Sequence, residues 1–261
     1  AGSICEELPV LQVIKTRLAQ GYRTIPFPAA EPTLPDRLRG LPELAAAKCP
    51  ADCARCAEAC PVECVQHAHG QLRLDLGQCL FCGACERACP AGALRFTTGY
   101  SLASRTRQGL VLSGQEFARA EALGKDLKRL FGRSLKLRQV SAAGCNGCEV
   151  DINVLGTPVY DLGRFGIQIV ASPRHADALI VTGPVSENMR LGLLKTYEAT
   201  PAPKLVIACG SCAISGGPFR DHEEVHNGVD GLLPVDLYIP GCPPHPITIL
   251  DGLLRLLGRS R

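Results

Sequence analysis

Fifteen cysteines in 261 residues are the part of this chain best able to do chemistry. Their spacing is not random. Cys53-x2-Cys56-x3-Cys60-Pro61 recurs as Cys82-x2-Cys85-x3-Cys89-Pro90, and each copy has one more cysteine ahead of it, Cys49 and Cys79. Three closely spaced thiolates can wrap one face of a cubane cluster, while the cysteine before proline points away and reaches a neighbouring one. The spacing therefore predicts two crossed ligand sets: Cys49, Cys53, Cys56 and Cys89 for one cluster, and Cys79, Cys82, Cys85 and Cys60 for the second. Three residues separate Cys49 from Cys53, where the other copy has two, so the first loop is longer by one. Cys64 is left over, with the option of standing in for a ligand in that irregular copy.

The remaining cysteines are sparser: Cys145-Asn146-Gly147-Cys148, Cys209-Gly210-Ser211-Cys212 and Gly241-Cys242-Pro243-Pro244. Spacing alone implies one four-thiolate site with a spare cysteine. The glycines around it let backbone approach a bulky group and offer N–H donors to its sulfurs. Four thiols do not by themselves choose between an iron–sulfur cluster and zinc. A neighbouring pair of clusters favours a third link in the same wire. A pair of zinc knuckles is the competing reading of the first half. An odd cysteine count without an export signal argues against disulfides.

These residues need elements to hold them. Gln71–Asp75 reads as a short strand between the two copies. After residue 136 the chain alternates apolar runs at 167–170, 178–182, 205–208 and 237–239 with helical patterns at 186–198 and 247–257, the mark of buried parallel strands with crossover helices. Cys209, Cys212 and Cys242 follow such strands, where open α/β sheets place their ligands. Four stretches result: a docking extension (1–48), with an amphipathic segment from Leu8 to Leu18 and a Pro-rich run from Pro26 to Pro42; a two-cluster α+β domain (49–98); a helical linker (99–135), with a helix over about 115–131; and an α/β domain with a central parallel sheet (136–261). The Pro-rich run cannot be helical throughout and is expected to drape over a partner or over the next domain.

Composition bounds the rest. A formal net charge of +3 gives no reason to invoke nucleic acid, and three anionic clusters would lower it further. No apolar run reaches the roughly 18 residues of a membrane span, and no signal-peptide pattern is present. The Ala1-Gly2-Ser3 start fits removal of an initiator Met, and the expected setting is cytoplasmic. Glu149, just after Cys148, is a candidate for proton movement or for a helix N-terminus. Arg174 and His175 follow a strand and are candidates for contact with a partner or a quinone. The other histidines, His67, His69, His222, His226 and His245, read as loop or surface residues.

Residues 49–98 resemble the two-cluster [4Fe–4S] ferredoxins. Farther on, Gly144-Cys145-Asn146-Gly147-Cys148-Glu149, Phe165-Gly166-Ile167, Ser172-Pro173-Arg174-His175-Ala176-Asp177, Val181-Thr182-Gly183-Pro184-Val185, Gly210-Ser211-Cys212-Ala213-Ile214-Ser215-Gly216-Gly217 and Pro240-Gly241-Cys242-Pro243-Pro244 follow in order. Over about residues 138–258 they resemble the small subunits of [NiFe] hydrogenases and the 20 kDa-type subunit of respiratory complex I. That resemblance implies a flavodoxin-like domain and a proximal [4Fe–4S] cluster on Cys145, Cys148, Cys212 and Cys242, with Cys209 spare. Three [4Fe–4S] clusters then make the chain an electron-transfer subunit of an oxidoreductase, with no complete active site of its own. The implied partners are a hydrogenase-type or complex I-like large subunit, membrane-anchored subunits and a soluble electron donor or acceptor, on the inner face of the membrane. The complex I members typically have adjacent cysteines where this chain has Cys145-x2-Cys148, so the resemblance leans toward membrane-bound, energy-converting hydrogenases and formate hydrogenlyases. A nickel-free quinone-reducing relative, a free-standing cluster carrier and a structural zinc protein are the alternatives.

Overall fold

The computed structural model describes residues 9–50, 53–68, 71–114, 117, 119–132 and 134–259. Cys5 and His69 lie outside them. The chain opens on helix α1 (Pro9–Gln20), whose residues 10–20 are all exposed. The Pro-rich run that follows lies on the chain itself. Ile25 N–H donates to the Val159 carbonyl (2.9 Å), Arg164 reaches the carbonyls of Ile25 (3.0 Å) and Phe27 (2.8 Å), and Phe27 packs edge-on against Tyr100. The run is held by the Phe27 and Leu41 carbonyls, by the N–H groups of Gly40 and Leu41, which donate to the Thr97 (2.6 Å) and Gly99 (2.7 Å) carbonyls, and by its one buried aromatic ring. It ends in strand β1 (Pro42–Leu44), antiparallel to β4 (Leu94–Phe96).

Between these strands lies the cysteine repeat. Each copy contributes a short helix, α2 (Arg55–Glu58) and α3 (Ala84–Ala88), and the helices pack on each other. Strands β2 (Val65–Ala68) and β3 (Gln71–Asp75) form the hairpin between the copies, and β5 (Val111–Leu112) adds antiparallel to β3. Alternation sends Leu72 and Leu74 inward and Gln71 and Arg73 outward, the period expected of a half-buried strand.

The stretch expected as a helical linker holds one seven-residue helix, α4 (Lys125–Phe131). Gln115 and Glu116 lie outside the described residues; Phe117 and residues 119–124 are not helical. Burial explains the difference. Ala120 and Leu123 are inside, tied by N–H donation to the carbonyls of Ala103 (2.8 Å) and Leu256 (2.9 Å), so an extended path docked on the body replaces the helix its periodicity suggested.

The second half is a five-stranded parallel sheet in the order β10–β9–β8–β6–β7, formed by β6 (Leu135–Ser141), β7 (Ile167–Ile169), β8 (Ala178–Thr182), β9 (Leu205–Cys209) and β10 (Leu237–Ile239). Numbered from its own first strand this is the order 2-1-3-4-5, the flavodoxin-like doubly wound arrangement. Its helices are α5 (Gly147–Val154), α6 (Glu187–Ala199), α7 (Ser211–Ser215) and α8 (Pro246–Leu256). Successive strand residues face opposite layers. Ile180, Ile207 and Ile239 join Ile152, Leu250 and Leu253 on one side; Leu179, Val206 and Tyr238 join Leu193 and Ile214 on the other. The second layer runs without a break into the buried residues of the ferredoxin-like half, among them Leu74, Leu76 and Leu110. An antiparallel bridge between Ser104 and Tyr238, in β10, adds backbone pairing across that junction.

Candidate metal centres

All fourteen described cysteines are free thiols, and the fold gathers most of them into three sets. In the first, burial and then the charges of Cys53 and Cys89 push the Cys49 thiol up, and burial and then Cys49 and Cys89 push up Cys56. Cys89, from the second copy, thus stands with Cys49, Cys53 and Cys56 from the first. His67 borders this set with its Nδ1 2.8 Å from the Cys53 carbonyl, while its buried Nε2 has no hydrogen-bond partner. It is half-buried on β2; its place beside a cysteine loop was invisible in the spacing of histidines.

The second set holds five thiols. Burial and then Cys79, Cys60 and Cys82 push Cys85 up to about 12. Cys64 sits inside this set, not the first, with its Sγ 3.4 Å from that of Cys60. Contact with the Cys64 thiol brings Cys60 down to about 5 and lowers Cys79, while both neighbours push Cys64 up. Cys64 thus lies against both Cys60 and Cys79. Cys60 Sγ also accepts the Cys64 N–H (3.3 Å), Cys79 Sγ the Phe81 N–H (3.3 Å) and, in the first set, Cys89 Sγ the Ala93 N–H (3.2 Å), donors that stabilise thiolate charge.

The third set lies at the carboxyl ends of the parallel strands, at the switch point of the sheet. Cys145 and Cys148 follow β6, Cys212 opens α7 after β9, and Cys242 follows β10. Burial and then Cys242 and Cys145 push Cys212 up to about 12; Cys148 is raised by burial and then by Cys212. Gly210 makes the turn into α7 at φ 92°, and a Cβ there would meet Cys148 Sγ at 2.5 Å; only glycine combines that dihedral with that approach. Cys209 points into the apolar layer under the sheet, fully buried, where burial holds its proton on.

Glu149 is buried in the first turn of α5. Its carboxylate accepts from Ser141 Oγ (2.7 Å), at the end of β6, and Thr182 Oγ1 (2.6 Å), at the end of β8. It clips two strand ends to the loop of the third set and does not cap its own helix. Arg174 and His175 are exposed. His245 is the N-cap of α8, accepting from Ile247 N–H (3.2 Å), and half-buried His226 pairs with Glu187 (2.5 Å).

The second and third sets are neighbours. Burial raises Cys242, and after Cys145 the charges it feels are Cys79 and Cys82. The junction is bonded directly: Ser211 Oγ donates to the Cys79 carbonyl (2.6 Å), Ser215 Oγ to the Gly77 carbonyl (2.9 Å), and Arg220 to Gln78 Oε1 (2.7 Å). Within the third set Cys145 and Cys242 are exposed.

Four or five thiols crowded together call for a cationic partner, and soft thiolates suit iron–sulfur cores better than hard ions. Among the described residues no three His, Cys, Asp or Glu side chains close on a point as a single ion needs. A zinc ion holds its sulfurs about 2.3 Å away, whereas a cubane spreads its four ligands by its own width. The residues fit iron–sulfur clusters.

Residues 145–256 match the family model described as NADH ubiquinone oxidoreductase, 20 Kd subunit, and residues 72–95 a 4Fe-4S binding domain. The chain is 41% identical over 145 residues to a probable membrane-bound hydrogenase subunit of Pyrococcus furiosus, covering 56% of this chain and 87% of that one. It is 47% identical over 132 residues to formate hydrogenlyase subunit 7 of Escherichia coli, covering 51% of this chain and 52%, about half, of that relative's length. Against an NADH-quinone oxidoreductase subunit of Bacteroides thetaiotaomicron it is 44% identical over 128 residues, covering 48% of this chain and 64% of that one.

Proposed function

Because the chain belongs to the NADH ubiquinone oxidoreductase 20 kDa-subunit family and carries a 4Fe-4S binding domain ahead of the matched region, we propose that it is an electron wire of three [4Fe–4S] clusters serving a partner's active site. Cys49, Cys53, Cys56 and Cys89 hold the first cluster, Cys60, Cys79, Cys82 and Cys85 the second, and Cys145, Cys148, Cys212 and Cys242 the third. The clusters, when bound, supply one-electron redox chemistry. The chain's own residues set the spacing: Ser211 and Ser215 bind the loop of the second set to the helix of the third, and backbone N–H groups face the ligand sulfurs. The observation that carries the reading is the closeness of Cys242 to Cys79 and Cys82, which favours one line of sets over separate sites.

Residues 49–98 and 136–261 act as the two cluster-bearing units, 99–135 ties them together, and 1–48 serves as a docking extension. The third cluster is the terminus that faces a large subunit, with exposed Cys145 among its ligands. That subunit is of the [NiFe] hydrogenase type, on the strength of the formate hydrogenlyase and membrane-bound hydrogenase relatives and the Cys145-x2-Cys148 spacing. A soluble donor or acceptor meets the first cluster, and membrane-anchored subunits hold the assembly at the inner face. Similarity to a quinone oxidoreductase subunit keeps a nickel-free, quinone-reducing complex as the second reading. Among the described residues no helix is long and apolar enough to cross a membrane.

The test is iron and acid-labile sulfide per chain, with EPR of the anaerobically purified complex. About twelve iron atoms and three reducible clusters are expected, and fewer than three clusters would overturn the assignment. Nickel in the co-purified large subunit separates the hydrogenase reading from the quinone one.

A further inference from the structure

The two copies of the cysteine repeat continue to match past their proline-flanked cysteines. Cys60-Pro61-Val62-Glu63-Cys64 in the first corresponds to Cys89-Pro90-Ala91-Gly92-Ala93 in the second. Both runs make the same turn. Glu63 N–H donates to the Cys60 carbonyl and Gly92 N–H to the Cys89 carbonyl, each at 3.3 Å. Glu63 (φ 53°) and Gly92 (φ 59°) take the same left-handed conformation, and a strand starts immediately after each run, β2 at Val65 and β4 at Leu94. The last residue of each run donates its N–H to the sulfur at the head of it, Cys64 to Cys60 (3.3 Å) and Ala93 to Cys89 (3.2 Å). Both donors are buried, so the turn and its bonds form alike whether the position carries a thiol or a methyl group.

What the first copy adds is the sulfur. Cys64 Sγ lies 3.4 Å from Cys60 Sγ, and Cys79 is its second sulfur neighbour. Five thiols thus share a set in which a [4Fe–4S] core takes four. Sulfurs in contact at 3.4 Å are too close to serve different irons across the width of a cubane, so Cys60 and Cys64 address the same one. Buried cysteines ordinarily act as small hydrophobes. Cys209 fits that description, packed in the apolar layer with Ile207 and Ile239, whereas the extra atom of Cys64 touches the sulfurs of two ligands.

We propose that Cys64 is an alternate ligand of the second cluster, able to take the iron otherwise held by Cys60. In the exchange Cys64 Sγ bonds the iron as Cys60 Sγ leaves it, and the proton passes from Cys64 to Cys60 across the contact between them. One iron–sulfur bond breaks and one forms, so no oxidant or reductant is consumed. The set then keeps four thiolates when Cys60, the half-buried member of the pair, is lost to modification. The first cluster has no such reserve, because its Cys89 is backed by Ala93. The inference rests on the reading that the second set holds a cubane.

The test is iron and acid-labile sulfide per chain, with EPR, on the full chain purified anaerobically. Cys60→Ala should keep about twelve iron atoms and three clusters, while Cys60→Ala/Cys64→Ala should fall to about eight atoms, and so should Cys89→Ala, which has no second thiol beside it. Loss of about four iron atoms from Cys60→Ala alone, or none from the double variant, would overturn the proposal. Cys64→Ala keeps the turn that Ala93 already makes and should fold. Under an iron chelator its second cluster should be released about twofold or more faster than that of the wild type, since the tethered thiol that recaptures an opened iron is gone. Equal release rates would also overturn the proposal. Failure of the parent reading shows separately, as fewer than three clusters in the wild type, and removes this proposal with it.

Discussion

Removing the Ser211 hydroxyl should loosen the junction between the second and third sets without disturbing either set's cysteines. Ser211 is buried and donates to the Cys79 carbonyl at 2.6 Å, with the Gly241 carbonyl 3.1 Å away as its second acceptor. In Ser211→Ala the Cys79 carbonyl loses a buried partner, at a cost of about 1–3 kcal/mol. Written as a local opening equilibrium, that is about a 5- to 150-fold rise in the open population. The amides to watch are Gln78 and Cys79, which donate to the Asp75 carbonyl (3.2 and 3.0 Å), and Phe81, which donates to Cys79 Sγ. Hydrogen exchange of the intact holoprotein should quicken at these amides, while those of β8, at the centre of the sheet, keep their rates. EPR should still report the same clusters, with weaker magnetic interaction between the second and third. Exchange at Gln78, Cys79 and Phe81 unchanged within about twofold, well below the smallest effect a lost buried bond allows, would refute the reasoning.

Cys64→Ala and Cys209→Ala should leave iron content at the wild-type level, whereas Cys85→Ala should lower it by about four atoms per chain if the second set holds a cubane; iron and sulfide assays decide. Gly210→Ala should deplete the third cluster selectively, because its Cβ would meet Cys148 Sγ at 2.5 Å, and the loss is readable in the EPR spectrum. Asp75→Asn breaks the paired contacts with Arg107 (2.8 and 2.6 Å) and should cost about 1–3 kcal/mol, visible as faster thermal loss of cluster absorbance. In the metal-free chain Cys85 and Cys212 are pushed up to about 12 by burial first and by neighbouring thiols second. A raised thiol pKa means that the fold binds more protons than the unfolded chain, so this stability is full below about 8.5 and is lost as pH rises toward about 12. Thermal unfolding of the apo chain should therefore weaken above pH of about 9, near the unfolded thiol value, and a flat profile would contradict the crowding of these thiols.

Much of the scaffold was legible in local pattern. Apolar runs marked β8 and β10 to the residue, and the helical periodicity near the C-terminus found α8 within one position at each end. The interior strand β6 escaped because its burial is uneven: Leu135, Leu137 and Val140 are inside, but Lys136 is exposed and Arg138 and Gln139 are half-buried. The helix expected over about 115–131 shrank to α4 because docking of Ala120 and Leu123 outweighed a weak local preference.

What the sequence determined by itself is chemistry that local spacing can hold: cysteine loops of the right length, glycines around the sparser set, and strands ending where its loops begin. Tertiary structure alone decided that Cys64 belongs with Cys60 and Cys79, that Glu149 turns inward to Ser141 and Thr182, and that the Pro-rich run lies on its own chain. It also decided that the second and third sets touch. Cys79 and Ser211 are 132 positions apart, and no periodicity of about 2 or 3.6 residues carries information over such a distance. Their meeting depends on how one buried layer continues from the ferredoxin-like half into the parallel sheet, which is a property of packing and not of any short stretch of residues.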